Sequence, residues 1–256
     1  MAPRRVLAQR RTAAGGARGR LSGPRVRAST VPLAGGPWVR QAAVVHETEA
    51  WQTIATERRA LADLLEGLTP EQWGTTTSLC DAWTVKGVAI HLMVGPTGSL
   101  RSFLSAMVAA RGRFERANVV LVQRKMAMPV EAVVADLRDR ATSRFAPPTM
   151  DVHAPLTDLL VHRLDICVPL GIKHERSLDP WAEALDFLLS PRARRGFLPQ
   201  APPELTYAAT DLAWTGGSGP RVEGPVEAIA LAILGRSPRL DELAGPGAEV
   251  LREWAR

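Results

Sequence analysis

The chain has 256 residues, 46% of them hydrophobic and 23% charged, an ordinary soluble composition long enough for one large domain or two small ones. No apolar run approaches the ~18 residues that a membrane-spanning helix requires. Two cysteines, Cys80 and Cys167, exclude a disulfide scaffold and a four-cysteine zinc site, which leaves open only a metal site built on histidine and carboxylate.

The formal net charge of +6 belongs to one end of the chain. Nine of the 32 basic residues, all arginine, lie in residues 1–40 without a single acid, so residues 41–256 hold 23 basic residues against 26 acidic, a net −3. The body is therefore slightly acidic, which removes the main reason to expect a nucleic-acid binder there. Residues 1–43 are expected to be a disordered basic tail. They are rich in Arg, Gly, Ala and Pro and too poor in periodic apolar residues to offset the entropy of ordering. An over-extended start, an organelle transit peptide and a tether to an anionic polymer are the readings open for this tail. It lacks the apolar core of a secretory signal.

From Val45 to Leu68 the spacing of Trp51, Ile54, Ala55, Leu61, Leu64, Leu65 and Leu68 predicts a helix, with Glu57, Arg58, Arg59 and Glu66 interleaved. Thr75–Ser78 reads as loop, and Thr84 as the N-cap of a second helix that Gly95-Pro96 breaks or kinks. Helices follow over Ser99–Ala110, Phe114–Met126, a stretch opened by Pro129 and ended by Pro147-Pro148, and Leu156–Val168. Helices with such short connections predict an up-and-down bundle over residues 44–171. Residues 172–256 change character. Helix Pro180–Leu189 and a basic loop Arg192–Arg195 precede a strand over Leu205–Leu212, a glycine turn at 216–220 and a short returning strand over Arg221–Gly224. Helices Val226–Leu234 and Ala248–Trp254 complete a small α+β domain. The glycines fit a hairpin better than a phosphate loop, since no helix-opening lysine-threonine follows them.

Histidine stands at 46, 91, 153, 162 and 174. His91 and His162 fall inside apolar helical stretches, and Asp158, four residues before His162, shares its helix face. Burying a carboxylate and two imidazoles among leucines is costly unless something pairs with them. A divalent metal bound by His91, Asp158 and His162 would satisfy all three and leave one coordination position open, as in a catalytic zinc site. The alternative is a helix-surface Asp–His pair and a satisfied core histidine. Asp165 either orients an imidazole or makes an exposed salt bridge. Cys80 and Cys167, with no CxxC pair, read as small buried hydrophobes. No HExxH and no nucleophile-elbow motif is present.

The run Cys80-Asp81-Ala82-Trp83-Thr84-Val85-Lys86-Gly87-Val88-Ala89-Ile90-His91-Leu92 resembles the loop–helix signature of the DinB-like, mycothiol-dependent maleylpyruvate isomerase family. Leu160–Ile166 with Pro169-Leu170-Gly171 resembles its second signature. Ala209–Trp214, Gly217–Pro220, Gly224-Pro225 and Leu234-Gly235-Arg236 are similar to its C-terminal domain. The resemblance implies a mainly α fold, a DinB-like four-helix bundle followed by a small α+β C-terminal domain. It also implies a zinc-type site at His91, Asp158 and His162. Where the family's founding isomerase carries glutamate this chain has the shorter Asp158. Mycothiol, the actinobacterial thiol, is the implied cofactor, its thiolate isomerising a small electrophile or being transferred to it. Arg236, with Arg195 a weaker second, is the candidate for an anionic substrate, and Asp165 for orienting a ligand. A cytoplasmic monomer or homodimer is expected, with no membrane partner and no nucleic-acid partner beyond the tail. A non-catalytic DinB-like module that binds metal or a small ligand is the alternative.

Overall fold

The computed structural model describes residues 37–77, 83–97, 100–147, 150–173, 175–198 and 200–255. Residues 1–36 of the expected tail, Cys80 and His174 lie outside them. The described residues form a mainly helical fold with one small three-stranded sheet.

Helix α1, Pro37–Glu66, begins eight residues before the position that periodicity marks, so part of the expected tail is helical. Its buried stripe runs through Trp51, Ile54, Arg58, Leu61 and Leu65, at three- and four-residue steps. The short α2, Pro70–Gly74, opens on a capping box in which Thr69 and Gln72 satisfy each other's backbone N–H. Helix α3, Val85–Thr97, starts where the Thr84 hydroxyl accepts from the Gly87 N–H at 3.3 Å. Pro96 falls in its last turn, where the helix ends rather than kinks. Helices α4, Leu100–Ala109, α5, Phe114–Lys125, and α6, Val130–Asp139, follow. Pro129 stands one place before the first helical residue, as N-cap, and α6 ends well before Pro147. Helix α7, His153–Cys167, is buried on nearly every side. It packs against α1, α3 and α8, while α1 and α3 both pack against α6, and α5 packs against both α3 and α4.

Helix α8, Pro180–Leu189, buries Trp181, Leu185 and Leu188 and docks this half of the chain on α7. The expected basic loop is a helix, α9, Pro191–Gly196. The Ser190 side chain caps the Ala193 N–H and Pro191 supplies the first turn, a start signal that the run of arginines obscures. Strand β1, Thr206–Ala209, is central to the sheet. It pairs antiparallel with β2, Thr215–Gly217, and parallel with β3, Arg221–Gly224. The glycine segment therefore does not close a hairpin between two antiparallel neighbours. The hairpin lies one step earlier, and β3 crosses to the far edge of β1. Gly217 makes this path sterically open. It sits at φ +78°, and a Cβ there would lie 2.2 Å from the Leu205 carbonyl oxygen.

Helix α10, Val226–Ile233, is buried all round, and α11, Ala248–Trp254, packs on it after a 3-10 turn at Leu240–Glu242. The first N–H of α10 is satisfied from a distance: Asp211 Oδ1 accepts from Val226 N at 2.8 Å. No helix among the described residues is long and apolar enough to cross a membrane. Asp211→Ala is expected to cost about 1 kcal/mol of stability, as loss of a helix cap does, and Asp211→Asn less. Thermal unfolding of the two variants checks this.

Candidate metal centre

Two helices bring the three candidate ligands together. The second and third turns of α7 carry Asp158 and His162 on one face, and the middle of α3 carries His91 opposite them. His91 Nε2 lies 3.3 Å from Asp158 Oδ2, and His162 Nε2 lies 3.4 Å from Asp158 Oδ1. The ligating atoms of the three residues all lie within 4.8 Å of one another. The two imidazole rings meet edge to face with centroids 4.7 Å apart, and the Trp83 ring meets His91 in the same manner at 5.2 Å. Burial works against ionisation of Asp158. The charges of His91 and His162 and their hydrogen bonds outweigh it and hold the carboxyl far below the usual carboxylate range.

Asp165 lies behind this cluster with no exposed surface. Its Oδ2 is 2.6 Å from His162 Nδ1. Arg236 closes on the same carboxylate through two donors, Nε to Oδ1 at 2.9 Å and Nη2 to Oδ2 at 3.0 Å. Burial again opposes the charge on Asp165, and the His162 contact and the Arg236 guanidinium overcome it, so this carboxyl too is held far below its ordinary value. The end of α10 explains how Arg236 arrives there. Gly235, at φ +71°, turns the chain left-handed, its N–H bonds to Ala232 O at 3.0 Å, and the Arg236 N–H returns to Leu231 O at 2.9 Å. This is a Schellman ending, and it fixes the backbone of Arg236 at the helix terminus. Arg236 is thus bound to Asp165 rather than lining the adjoining cavity. Arg195 is exposed on α9, next to the cavity-lining Gly196. His46 is exposed beside Glu49, and His153 sits against Asp151 at 3.1 Å, both away from the cluster. Cys167, the last residue of α7, is buried, and burial pushes its thiol up against the pull of Arg163.

A cavity of about 520 Å³ opens beside His91 and Asp158, a size that suits a small organic ligand. Its wall also includes Arg58, which reading the sequence leaves among the polar residues of α1. Arg58 is 4% exposed, and its Nη1 donates to Ala141 O at 3.1 Å and Ser143 O at 2.7 Å. Burial lowers its pKa to about 10, with Asp158 pulling the other way, so it stays a cation at neutral pH. The signal for it was present: Arg58 falls four residues after Ile54 and three before Leu61, on the buried stripe of α1 and not between stripes. Glu57 shares that burial and is answered by Arg176, Nε to Oε1 at 3.1 Å, and by Arg163 at 3.5 Å.

Chemically, the cluster offers two imidazole nitrogens and one carboxylate at the mouth of an apolar space, with a buried charge pair fixing one imidazole from behind. Asp165→Asn leaves Arg236 without a countercharge in a buried place and is expected to cost about 3 kcal/mol or more of stability. The double variant Asp165→Asn, Arg236→Met is expected to recover part of that loss. Urea unfolding of the two proteins checks both statements.

Among known proteins, residues 54–151 match the family described as mycothiol maleylpyruvate isomerase N-terminal domain, a stretch that contains His91 and ends before Asp158 and His162. No curated protein and no solved structure matches the chain. That match covers α2 to α6 and the C-terminal part of α1, so residues 54–151 are similar to the mycothiol maleylpyruvate isomerase N-terminal domain family, and α7 to α11 lie beyond it.

Proposed function

We propose that the protein is a metal-dependent enzyme that uses mycothiol as its thiol co-substrate, isomerising a small electrophile or joining the thiol to it. His91, Asp158 and His162 would hold a divalent metal, zinc by the softness of its imidazole donors. One observation carries this reading. Asp165 Oδ2 lies 2.6 Å from His162 Nδ1, so a neutral ring with its proton there would turn its Nε2 lone pair towards Asp158 Oδ1 at 3.4 Å. Two acceptors at that distance need a cation or a proton between them. The donor set fits the first, and the family match supports it.

A bound metal supplies Lewis acidity, lowering the pKa of a thiol or water at its open position. The chain's own residues do the rest. Asp165 fixes the tautomer and the plane of His162, and Arg236 fixes Asp165 in turn. Asp158 contributes negative charge that its two imidazole neighbours keep ionised. The apolar wall of the cavity keeps water from an electrophile held there. Asp158 is one methylene shorter than the glutamate that the family resemblance leads one to expect, which sets its oxygens nearer the backbone of α7.

In this reading residues 44–171 form a DinB-like up-and-down bundle of α1, α3, α6 and α7, and residues 172–256 a second unit that contributes Arg236. The mutual packing of those four helices supports the first part. The Arg236–Asp165 pair, which joins the two parts of the chain, supports the second.

Elemental analysis of protein purified without a histidine tag is expected to find about one zinc per chain in the wild type and none in the His91→Ala, His162→Ala double variant. No metal in either after reconstitution would sink the catalytic reading. Asp165→Asn is expected to weaken metal affinity about 10–100-fold, as loss of a partner that orients a histidine ligand does, measured by competition with a chromophoric chelator.

A further inference from the structure

The cavity beside the cluster is apolar over most of its wall, with Phe103, Leu121, Phe145, Met150 and Phe197 among its lining residues. Its ionisable lining residues are Arg58, His91 and Asp158. Arg58 feels the charge of Asp158 but makes no ion pair with it. Its Nη1 is committed to the carbonyls of Ala141 and Ser143, which fixes the plane of the guanidinium. Its Nε and Nη2 have no hydrogen-bond acceptor among the described residues, and no carboxylate among them lies within ion-pair distance of it. A nearly buried guanidinium on a cavity wall, with Nε and Nη2 not taken up by the protein, can offer those donors to a bound group. It is also the side chain best shaped to receive a carboxylate through two parallel N–H groups.

We propose that this cavity binds an apolar monocarboxylate, an aryl or medium-chain acyl acid, whose carboxylate pairs with Arg58 while its hydrocarbon body lies against Phe103, Leu121, Phe145 and Met150. The charges of the wall select one carboxylate and not two. Beyond Arg58 the ionisable lining is an ionised aspartate and an imidazole already engaged with it, so a second anionic group would face Asp158. The apolar area of the wall selects a hydrocarbon body over a polar one. As the pocket of the electrophile this rests on the function proposed above. As a binding site it requires neither metal nor thiol.

The test is calorimetric titration of the full chain with trans-cinnamate, octanoate and their primary amides, in chelator-treated and zinc-supplied protein. The acids are expected to bind on the order of tenfold or more tighter than the amides in both states, the size of a charge-assisted pair in a shielded site. Arg58→Gln is expected to bring the acid-to-amide ratio close to unity. Phe145→Ala, at a half-exposed position, is expected to weaken acid and amide alike and leave their ratio unchanged. Equal affinities in the wild type overturn the proposal, as does binding of neither class. An acid preference present only with zinc means coordination of the carboxylate by the metal, and overturns it too. These outcomes hold even if Arg58→Gln fails to fold, since they are read on the wild type. Acid binding without thiol-dependent turnover would sink the catalytic reading alone, and turnover without acid preference would sink this proposal alone.

Discussion

The Asp165 carboxylate, without any contact with solvent, takes a histidine of the metal-type cluster on one side and a guanidinium from the far end of the chain on the other. A buried carboxylate alone would take up a proton. Here two charged or polar partners keep it ionised, with Nδ1 of His162 turned to it and Nε2 turned to Asp158. The pair is also mechanical. Arg236 comes from the end of α10, so the position of that helix against α7 is coupled to the orientation of one imidazole. The second half of the chain is thereby part of the site although none of the three candidate ligands lies in it.

The cluster depends on α3 and α7 being held at the separation that lets three side chains converge. Apolar burial does most of that: α7 buries four leucines, Val161 and Ile166, and α3 buries Val85, Val88, Ala89, Ile90, Leu92 and Met93. Polar contacts set the details. Arg58 ties α1 to the segment after α6 through Ala141 and Ser143, and Glu57 ties α1 to Arg163 of α7 and to Arg176. Two opposite charges at adjacent positions of α1 are thus both buried and answered by different parts of the fold. One of them faces the cavity, and a guanidinium that braces a loop can at the same time give the cavity its charge.

Periodicity, caps and breakers made most helices legible from the sequence. Helix α8 begins and ends where Pro180 and Ser190 mark it, and α11 likewise follows its apolar spacing. The stretch that follows α8 was less legible: Ser190-Pro191 is a helix start, but a six-residue helix with three arginines carries no apolar period to announce it. The parallel pairing of β3 with β1 left no trace either, since strands of three and four residues look alike whichever edge they join.

The sequence by itself determined the residue types and their local spacing: an aspartate and a histidine four apart on one helix, a histidine in the middle of another, an arginine just past a glycine that ends a third. Local spacing fixes which side chains share a helix face, because the helical repeat is a property of the backbone. It does not fix which faces meet. Only the tertiary structure decided that His91 lies within reach of Asp158, that Arg236 turns inward to Asp165 instead of toward a ligand, and that Arg58 is a buried cation on the cavity wall. Each of these rests on contacts between residues tens of positions apart, and such contacts follow from how whole helices pack, which no short window of sequence contains.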